Sequence, residues 1–401
     1  MQMIEFRGSH YPVDSDALQV VLNGCDDLRK TRPTCLCVDP PVPMYVSKYK
    51  GHHLVKRMPD TGHQHSPMCD SYEVPAVLSG SCELEGKAIV HDEESGTTTL
   101  KLAFALSKTG ASHATVTDVA ETDTAKVTRT RLTMRSLVDY LWSEAQFNRW
   151  HPGMEGRRNY AVLHKYVGRA LAGVKSKKLL LAEAMYMPEP FFAINAQEIE
   201  MRARAALARC AYQRTGNQPM MLMFGLVKDF TPARSGAMLQ IKHAPFVQFY
   251  IPHALVQRMD RLFESEHVLW RAHEDSNMMV IASIFQNAGG VYELQEVALM
   301  LVDRHWLPIS GLSQMQMTGR LVAERRSFIR SLAFNGGQRE VLADFLLTDC
   351  APPCAVYMVP DGQDEDVRLP LIQECDDAGL GVAFVSQSHI GAAVLPPMRR
   401  V

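Results

Sequence analysis

Four residues with metal-binding side chains stand near the start of the chain, as two short pairs separated by a loop. The first pair is Cys35-Leu-Cys37 and the second is His65-Ser-Pro-Met-Cys69. Zinc prefers four sulfur or imidazole ligands in a tetrahedron, and two chain-local pairs are a usual way of supplying them. We therefore predict a zinc site formed by Cys35, Cys37, His65 and Cys69. Because four protein ligands leave no open position for water, the site is expected to be structural and not catalytic.

Other interpretations of these residues remain open. His63 is a rival fourth ligand, and His52 and His53 are more distant candidates. The Cys-x-Cys arm is also tighter than the Cys-x2-Cys arm of common zinc ribbons and fingers. The opposing interpretation makes Cys35 and Cys37 small core residues of a strand, with His65 and Cys69 in a polar loop.

The remaining cysteines do not indicate a second metal site or a disulfide framework. The chain has nine cysteines, and an odd number at irregular spacing is not typical of secreted, disulfide-rich proteins. Cys350 and Cys354 form another close pair, but two prolines stand between them and no partner pair is nearby. Since a metal site needs about four ligands, we interpret this pair as structural.

Positive charge is concentrated in one stretch of the chain, residues 126 to 178. The whole chain has 42 Lys and Arg against 44 Asp and Glu, a formal charge of −2. This stretch alone has twelve basic and three acidic residues, a charge of +9. Such segregation is typical of nucleic-acid-binding surfaces. The alternative is that the stretch pairs with the acidic remainder of the chain or with a partner protein.

Particular basic residues are predicted to contact nucleic acid. Two short helices with a break at Pro152 and Gly153 could present one basic face to a phosphate backbone, with Tyr160 nearby. A second basic patch lies between the metal-ligand pairs, where lysines alternate with Tyr45 and Tyr49; its alternative is a solvated strand face. The predicted nucleic-acid-binding residues are Lys48, Lys56, Arg57, Arg149, Arg157, Arg158, Lys165 and Arg169.

The C-terminal part of the chain holds one candidate for a catalytic carboxylate. Its predicted order of helix, strand, strand, helix and strand is similar to the core of restriction-endonuclease-like nucleases, where an Asp and an acid-x-Lys motif collect a divalent metal. Asp344 could take the first place, but the next strand, Ala355 to Val359, has neither the acid nor the lysine. Other oxygens could come from Glu324, Glu340 and Asp349. We expect a degenerate, non-catalytic relative of that core.

Composition and motifs argue against several other classes of protein. With 46% hydrophobic and 21% charged residues, the chain has enough apolar material for folded cores. The P-loop, dinucleotide-binding, nucleophile-elbow and HExxH motifs are absent from the sequence, so nucleotide hydrolysis is not expected. No run approaches the roughly 18 apolar residues of a membrane span, and the start has no signal-peptide core. We expect a cytoplasmic protein with no membrane partner.

Local patterns indicate an α+β protein of several domains that together position these residues. An acidic link of Asp118, Glu121 and Asp123 is expected to end the first domain. The predicted domains are a small β-rich zinc-binding unit at 1–118, a basic helical segment at 119–185, a mixed α/β domain at 186–310 and a nuclease-like α/β unit at 311–401.

Hydrophobic spacing predicts individual elements within these domains. Thr133 can cap one helix, which Pro152 and Gly153 end, and a second runs from near Gly156 to Gly173. Three more helices are predicted at Glu198 to Tyr212, Ala254 to His273 and Gln314 to Leu332. Predicted strands include Val42 to Tyr49, Thr97 to Phe104, Leu222 to Val227, Met238 to His243, Met278 to Phe285 and Val297 to Val302. The aromatic residues expected in the core are Trp142, Phe147 and Trp150.

Several motifs together resemble one uncharacterised bacterial family of about this length. Besides the Cys/His block, they are Pro43-Met-Tyr45, Lys56-Arg-Met-Pro59, Ser71-Tyr-Glu73, Asp139-Tyr-Leu-Trp142, Phe147-Asn-Arg-Trp150 and Gly156-Arg-Arg-Asn159. The resemblance covers nearly the whole chain. The family is a domain of unknown function, often carried on plasmids and integrative conjugative elements. The resemblance therefore implies a mobile-element context, with other mobile-element proteins as partners, but no activity and no assigned residues.

Three functional hypotheses follow from these observations. The leading one is a zinc-stabilised accessory protein of a mobile genetic element that binds nucleic acid, DNA being expected, without catalysis. The first alternative is a metal-dependent nuclease built on the C-terminal unit, which would require Asp344. The second alternative is a scaffold whose basic face docks an acidic protein.

Overall fold

A computed structural model of the chain describes residues 2–75, 79–81, 84–92, 96–108, 130–334, 342–362 and 365–399. The predicted acidic link at Asp118, Glu121 and Asp123 lies outside these residues, as does the domain boundary placed at 118. Two of the twelve basic residues of the stretch 126 to 178, Lys126 and Arg129, also lie outside them.

The N-terminal part of the chain forms an antiparallel sheet with one helix against it. Its elements are β1 (Met3–Phe6), β2 (Ser9–Pro12), α1 (Asp16–Asn23), β3 (Thr34–Cys35), β4 (Val42–Tyr49) and β5 (His52–Arg57). The strand order is β2-β1-β3-β4-β5. Ser15 caps α1 by accepting a hydrogen bond from the Leu18 amide, and α1 buries Leu18 and Leu22 against Phe6. The predicted strand Val42 to Tyr49 is confirmed.

Three short strands follow the N-terminal sheet, and two of them pair with strands from later in the chain. They are β6 (Ile89–Asp92), β7 (Thr97–Leu100) and β8 (Ser107–Lys108). The predicted strand Thr97 to Phe104 is therefore confirmed only as far as Leu100, after which the backbone leaves the ladder.

Two helices form the middle of the basic stretch, as predicted. The segment contains α2 (Met134–Glu144), β9 (Arg149–Trp150), α3 (Tyr160–Ala170), β10 (Val174–Ser176), β11 (Leu179–Leu180), α4 (Leu181–Ala184), β12 (Met185–Tyr186), α5 (Ala196–Leu207) and β13 (Gln218–Pro219). Thr133 caps α2 through a reciprocal capping box with Ser136. This helix ends at Glu144, before the predicted end at Pro152, because Gln146 takes a left-handed φ of +59°.

A barrel of five strands follows. Its elements are β14 (Met221–Ala233), β15 (Gly236–Ile241), β16 (Gln248–Pro252), α6 (His253–Leu262), α7 (Glu264–Ala272), β17 (Asn277–Gln286) and β18 (Tyr292–Val302), and β19 (Pro308–Ile309) pairs with its last strand. Strands β14, β15 and β16 pair antiparallel in sequence, β16 pairs parallel with β18, β18 pairs antiparallel with β17, and β17 pairs antiparallel with β14. The ring is thereby closed.

The sequence predicted four of these five strands, within a mixed α/β domain, but not that they form a barrel. The single helix expected from Ala254 to His273 is two helices, because Phe263 leaves the helical conformation and its ring is buried in the main core. The strand β16 was not predicted.

The C-terminal part forms a mixed sheet with a helix in one crossover. Its elements are α8 (Leu312–Ala323), β20 (Phe328–Arg330), β21 (Phe345–Leu347), β22 (Cys354–Val359), α9 (Glu365–Asp377) and β23 (Gly381–Ser386), in the strand order β23-β22-β21-β20-β9. The prediction of one helix from Gln314 to Leu332 is wrong beyond Ala323. Arg325 takes a left-handed φ of +57°, which turns the chain so that Phe328–Arg330 enters the sheet.

Hydrogen-bonded strand pairs cross all three predicted domain boundaries. Strand β7 pairs with β10, β12 pairs with β14, and β9 pairs with β20. The predicted units therefore share sheets. The architecture is a mixed α/β protein with several sheets, and Trp142, Phe147 and Trp150 are buried as predicted.

Candidate metal centre and basic residues

Two neighbouring turns bring the predicted metal ligands together. Cys35 ends β3, and Cys37 lies in the turn that follows. The hairpin of β4 and β5 returns the chain to the same end of the sheet. There a short 3-10 turn, Gly62–Gln64, places His65 and then Cys69 opposite the first pair.

The four ligand atoms lie close enough together to share one ion. The sulfurs of Cys35 and Cys69 are 3.7 Å apart, and Nδ1 of His65 lies 3.3 Å from the Cys37 sulfur and 3.8 Å from the Cys69 sulfur. All four atoms lie within 4.8 Å of one another. Cys35, Cys69 and His65 are buried, so an ion held here would be shielded from water. The cluster can bind a metal ion.

Hydrogen-bond donors surround the sulfurs of this cluster. Nε2 of Gln2 donates to Cys35 at 3.2 Å, and the backbone amides of Ser66 and Ser71 donate to Cys37 and Cys69 at 3.4 Å. The hydrogen bond from the Cys69 thiol, the largest of several effects, lowers the pKa of Cys35 to about 3. Donors of this kind stabilise thiolate and orient metal ligands.

The other candidate ligands lie apart from this cluster. His52, His53 and His63 are not part of the metal-binding group found among the described residues. Cys350 and Cys354 are buried in one of the two cores that flank the C-terminal sheet, where the Cys350 sulfur accepts a hydrogen bond from Arg326.

Arg158 is held by the protein itself. Its guanidinium donates hydrogen bonds to the backbone carbonyls of Gln146, Phe147, Arg149 and His305. It also lies over the rings of Phe147 and Trp150, at 4.8 and 5.8 Å from their centroids. Burial lowers the pKa of Arg158 to about 10. In this conformation its donors are used to fix the loop between α2 and α3.

Arg149 and Arg169 also contact the protein. Arg149 donates to the backbone carbonyls of Cys69 and Asp70 at 2.9 and 2.6 Å. It therefore links β9 to residues 58–75, which we call the metal-ligand loop. Arg169 pairs with the carboxylate of Asp14 at 3.2 Å. Intramolecular pairing, the alternative for the basic stretch, therefore accounts for part of its charge.

Lys56 and Arg57 line a half-open pocket of about 340 Å³ between the N-terminal sheet and α2. Arg57 pairs with Glu73 and lies 3.5 Å from the carboxylate of Glu144. Burial is the largest effect on the carboxyl of Glu73 and raises its pKa. The Lys56 ammonium donates to the backbone carbonyl of Ala172 at 3.2 Å, and burial lowers its pKa.

The remaining predicted residues are exposed. Lys48 lies on β4, Arg157 in the loop before α3, and Lys165 on α3 itself. The structure therefore divides the eight predicted residues into three exposed and five that contact the protein.

Further cationic and imidazole groups lie near the exposed part of α3, and the sequence did not indicate them. The tip of the β4–β5 hairpin packs on α3, since the Tyr49 hydroxyl occupies the space that a Cβ at Gly168 would need. Burial and then the charge of Lys50 lower the pKa of His164. The His243 ring stacks on Tyr160 with centroids 3.9 Å apart.

Lys242 extends this group to the barrel. Burial, Lys242 and His164 together lower the pKa of His243 to about 4. We call this set the hairpin–helix surface; it comprises Lys50, His164, Lys165, Lys242 and His243. No signal in the sequence unites residues so far apart along the chain.

The candidate carboxylates of the C-terminal unit have structural partners. Asp344 accepts hydrogen bonds from the Gln314 amide and from the backbone amide of Met358, both at 2.8 Å. Asp349 forms a bidentate pair with Arg326 and accepts from the backbone amide of Ser327. Glu324 pairs with Arg320 at 2.7 Å. Glu340 lies outside the described residues.

A comparison with family models places the chain among known sequences. The chain belongs to the family described as "Protein of unknown function (DUF1173)", whose model matches residues 5–384. Neither the curated proteins nor the solved structures include a significant match to it. Among the described residues, no helix combines the length and the apolar character needed to cross a membrane.

Proposed function

We propose that this protein is a zinc-stabilised, non-catalytic nucleic-acid-binding protein, with DNA as the expected ligand, that serves as an accessory factor of a mobile genetic element. The observation that carries the binding proposal is the convergence of cationic side chains from three separate elements on the hairpin–helix surface. The four-ligand cluster carries the proposal of a structural metal.

The dimensions of the cluster support zinc as its metal. Zn–S bonds of about 2.3 Å and Zn–N bonds of about 2.0 Å in a tetrahedron require sulfurs about 3.8 Å apart and sulfur–nitrogen separations of about 3.5 Å. The observed 3.7 Å between Cys35 and Cys69, and 3.3 and 3.8 Å from the sulfurs of Cys37 and Cys69 to His65, agree with these values. Three thiolates and one imidazole also suit zinc better than magnesium or calcium, which prefer oxygen.

Metal analysis of purified protein tests this assignment. We expect close to one zinc per chain in the wild type and little zinc in Cys69→Ser, because three ligands hold zinc far less tightly than four. Cys25→Ser is the matched control, since Cys25 lies outside the cluster. Wild-type protein without zinc, or equal zinc in the two variants, would contradict the proposal.

The charges around the hairpin–helix surface suit a polyanion. Lys50, Lys165 and Lys242 are exposed. The nearby Glu189 is bound to Arg202 through two hydrogen bonds of 2.8 and 3.0 Å, which offsets its charge. Lysines spaced over one surface are a usual means of binding a phosphate backbone, and each neutralised phosphate adds to the salt dependence of binding.

Binding of a labelled DNA duplex at several salt concentrations tests the surface. In the double variant Lys50→Gln/Lys165→Gln we expect weaker binding and a shallower slope of log affinity against log salt, by about one unit for each phosphate that the variant no longer neutralises. Arg304→Gln/Arg325→Gln, which removes two exposed arginines elsewhere, is the control and should leave the slope unchanged. Equal slopes in both variants would remove this surface from the proposal.

The C-terminal unit supports the non-catalytic part of the proposal. Its helix, three strands, helix and strand, with the last two strands parallel, are compatible with the restriction-endonuclease-like core. Both oxygens of Asp344 accept hydrogen bonds from the protein, and β22 has no acid and no lysine. We therefore propose a degenerate relative of that core, and we expect no Mg²⁺- or Mn²⁺-dependent cleavage of DNA by the wild type. Cleavage abolished by Asp344→Ala would support the nuclease alternative.

A further inference from the structure

The five-stranded barrel has the connectivity of an OB fold. Its first three strands, β14, β15 and β16, form a meander, the third pairs parallel with the fifth, and the fourth closes the ring against the first. Helices α6 and α7 stand between the third and fourth strands. Barrels of this connectivity bind oligonucleotides or oligosaccharides on the outer face of the second and third strands.

The outer face of β15 and β16 is the part of the barrel with suitable side chains. Ala237, Leu239, Ile241, Phe249 and Ile251 are buried in the core, so the alternate residues of both strands lie outside. Met238 pairs with Tyr250 and Gln240 with Gln248 across the two strands. All four are at least partly exposed.

Tyr250 is held in a position that favours stacking. Its hydroxyl donates to the backbone carbonyl of Ser235 at 2.6 Å and lies 2.9 Å from the Ser235 hydroxyl. These bonds fix the ring while leaving it partly exposed, so stacking a base on it costs little side-chain entropy.

The charge at the rim of this face selects the kind of ligand. Lys228, Arg234 and Lys242 are exposed at its borders. Two acids border the face. Asp229 lies opposite Gln240 and accepts a hydrogen bond from the Phe230 amide, and Glu293, in register with Tyr250 on β18, accepts one from the Asn287 side chain at 3.2 Å. Three cations suit a polyanion better than a neutral oligosaccharide. A peptide cannot add here as another strand, because β15 and β16 each already pair on both sides.

We infer that the outer face of β15 and β16 binds single-stranded nucleic acid, with bases stacked on Tyr250 and phosphates at the rim cations. The inference rests on the proposed function and specifies its ligand. Lys242 belongs both to the rim and to the hairpin–helix surface, so one strand could follow both. Stacking requires bases that are free of a partner strand, which excludes an intact duplex from this face.

Fluorescence anisotropy with oligo-dT of about 20 nucleotides, a length that exceeds one barrel's site, tests the inference. Tyr250→Leu should weaken binding by about 10-fold or more, whereas Tyr250→Phe keeps the ring and should stay within about 3-fold of the wild type. Asp229→Asn removes one of the two acids that border the face and should strengthen binding. A duplex of the same length should lose little affinity in Tyr250→Leu.

Crosslinking gives a readout that does not depend on a variant folding. The wild-type chain, irradiated with the same oligonucleotide containing 5-iodouracil, should crosslink within residues 236–252. Binding of oligo-dT with no crosslink there, and with equal affinities for wild type and Tyr250→Leu, overturns the inference but leaves the proposed function. An absence of binding to every oligonucleotide overturns both.

Discussion

Asp303 holds a turn of the backbone in place, although burial of its carboxyl disfavours the charged form. One carboxylate oxygen accepts hydrogen bonds from the backbone amides of His305 and Leu307 at 2.9 and 2.8 Å. The turn holds Trp306, whose carbonyl accepts a hydrogen bond from the buried indole of Trp142. Burial of the carboxyl raises its pKa to about 6, although the two amides oppose this effect.

This shift predicts how stability depends on pH. The carboxyl binds its proton more tightly in the folded state than in the unfolded state. The stability that this tighter proton binding contributes is therefore complete below about pH 4 and is lost as the pH rises through 6. Asp303→Asn keeps the acceptor and cannot ionise. As the pH rises from 4 to 7, we expect the unfolding free energy of the variant minus that of the wild type to increase by about 2 to 3 kcal/mol.

Urea unfolding of both proteins at a series of pH values measures this difference. A difference that stays constant from pH 4 to pH 7 would show that Asp303 has an ordinary carboxyl.

At the scale of elements, Arg158 fastens the connection between α2 and α3. Arg158→Met would leave the carbonyls of Gln146, Phe147, Arg149 and His305 without this donor. We expect a loss of about 3 kcal/mol in unfolding free energy, because buried acceptors would lose a charged partner. Arg157→Met, at the exposed neighbouring residue, should change stability by less than about 0.5 kcal/mol.

Chemical unfolding of the two variants, together with oligonucleotide binding at a temperature where both are folded, separates a structural role from a binding role. Unchanged stability with weakened binding in Arg158→Met would support the sequence-based assignment of Arg158 to nucleic acid. The reverse result would support its role as a structural residue.

At the scale of the whole molecule, one ion network joins the N-terminal sheet to α2. Arg57 of β5 pairs with Glu73 of the metal-ligand loop and approaches Glu144 at the end of α2. Arg57→Met should cost about 1 to 2 kcal/mol near neutral pH, because it leaves two partly exposed carboxylates, which water still screens, without their cation. The double variant Arg57→Met/Glu73→Gln should be less destabilised than the single one, since one of those charges is removed.

A thermal or chemical unfolding cycle over the wild type, the two single variants and the double variant measures this coupling. Additive effects would mean that Arg57 and Glu73 do not interact appreciably in the folded protein.

The proposed metal site lies in the same part of the molecule. Residues 58–75 contain one 3-10 turn and no strand, so the ligands His65 and Cys69 are expected to hold this loop in place. Removing the metal with a chelator should increase amide exchange first in residues 58–75, while the barrel strands keep their protection. Uniform loss of protection over the whole chain would instead indicate that the metal supports the entire fold.

The sequence by itself determined the features that depend on neighbouring residues. The clustering of Cys35, Cys37, His65 and Cys69, the Thr133 cap and the buried aromatic residues of α2 and β9 follow from residue type and short spacing, and the structure has them as predicted. Ligand pairs and caps are local, so a few adjacent residues specify them.

Only the tertiary structure decided which cations face solvent and how the barrel closes. Arg158 and Lys165 look alike in the sequence, yet one binds four backbone carbonyls and the other is exposed. Closure of the barrel depends on pairing between β14 and β17 and between β16 and β18, which are far apart along the chain. Such long-range pairing has no local signature, because hydrophobic alternation specifies that a strand forms but not which strand it joins.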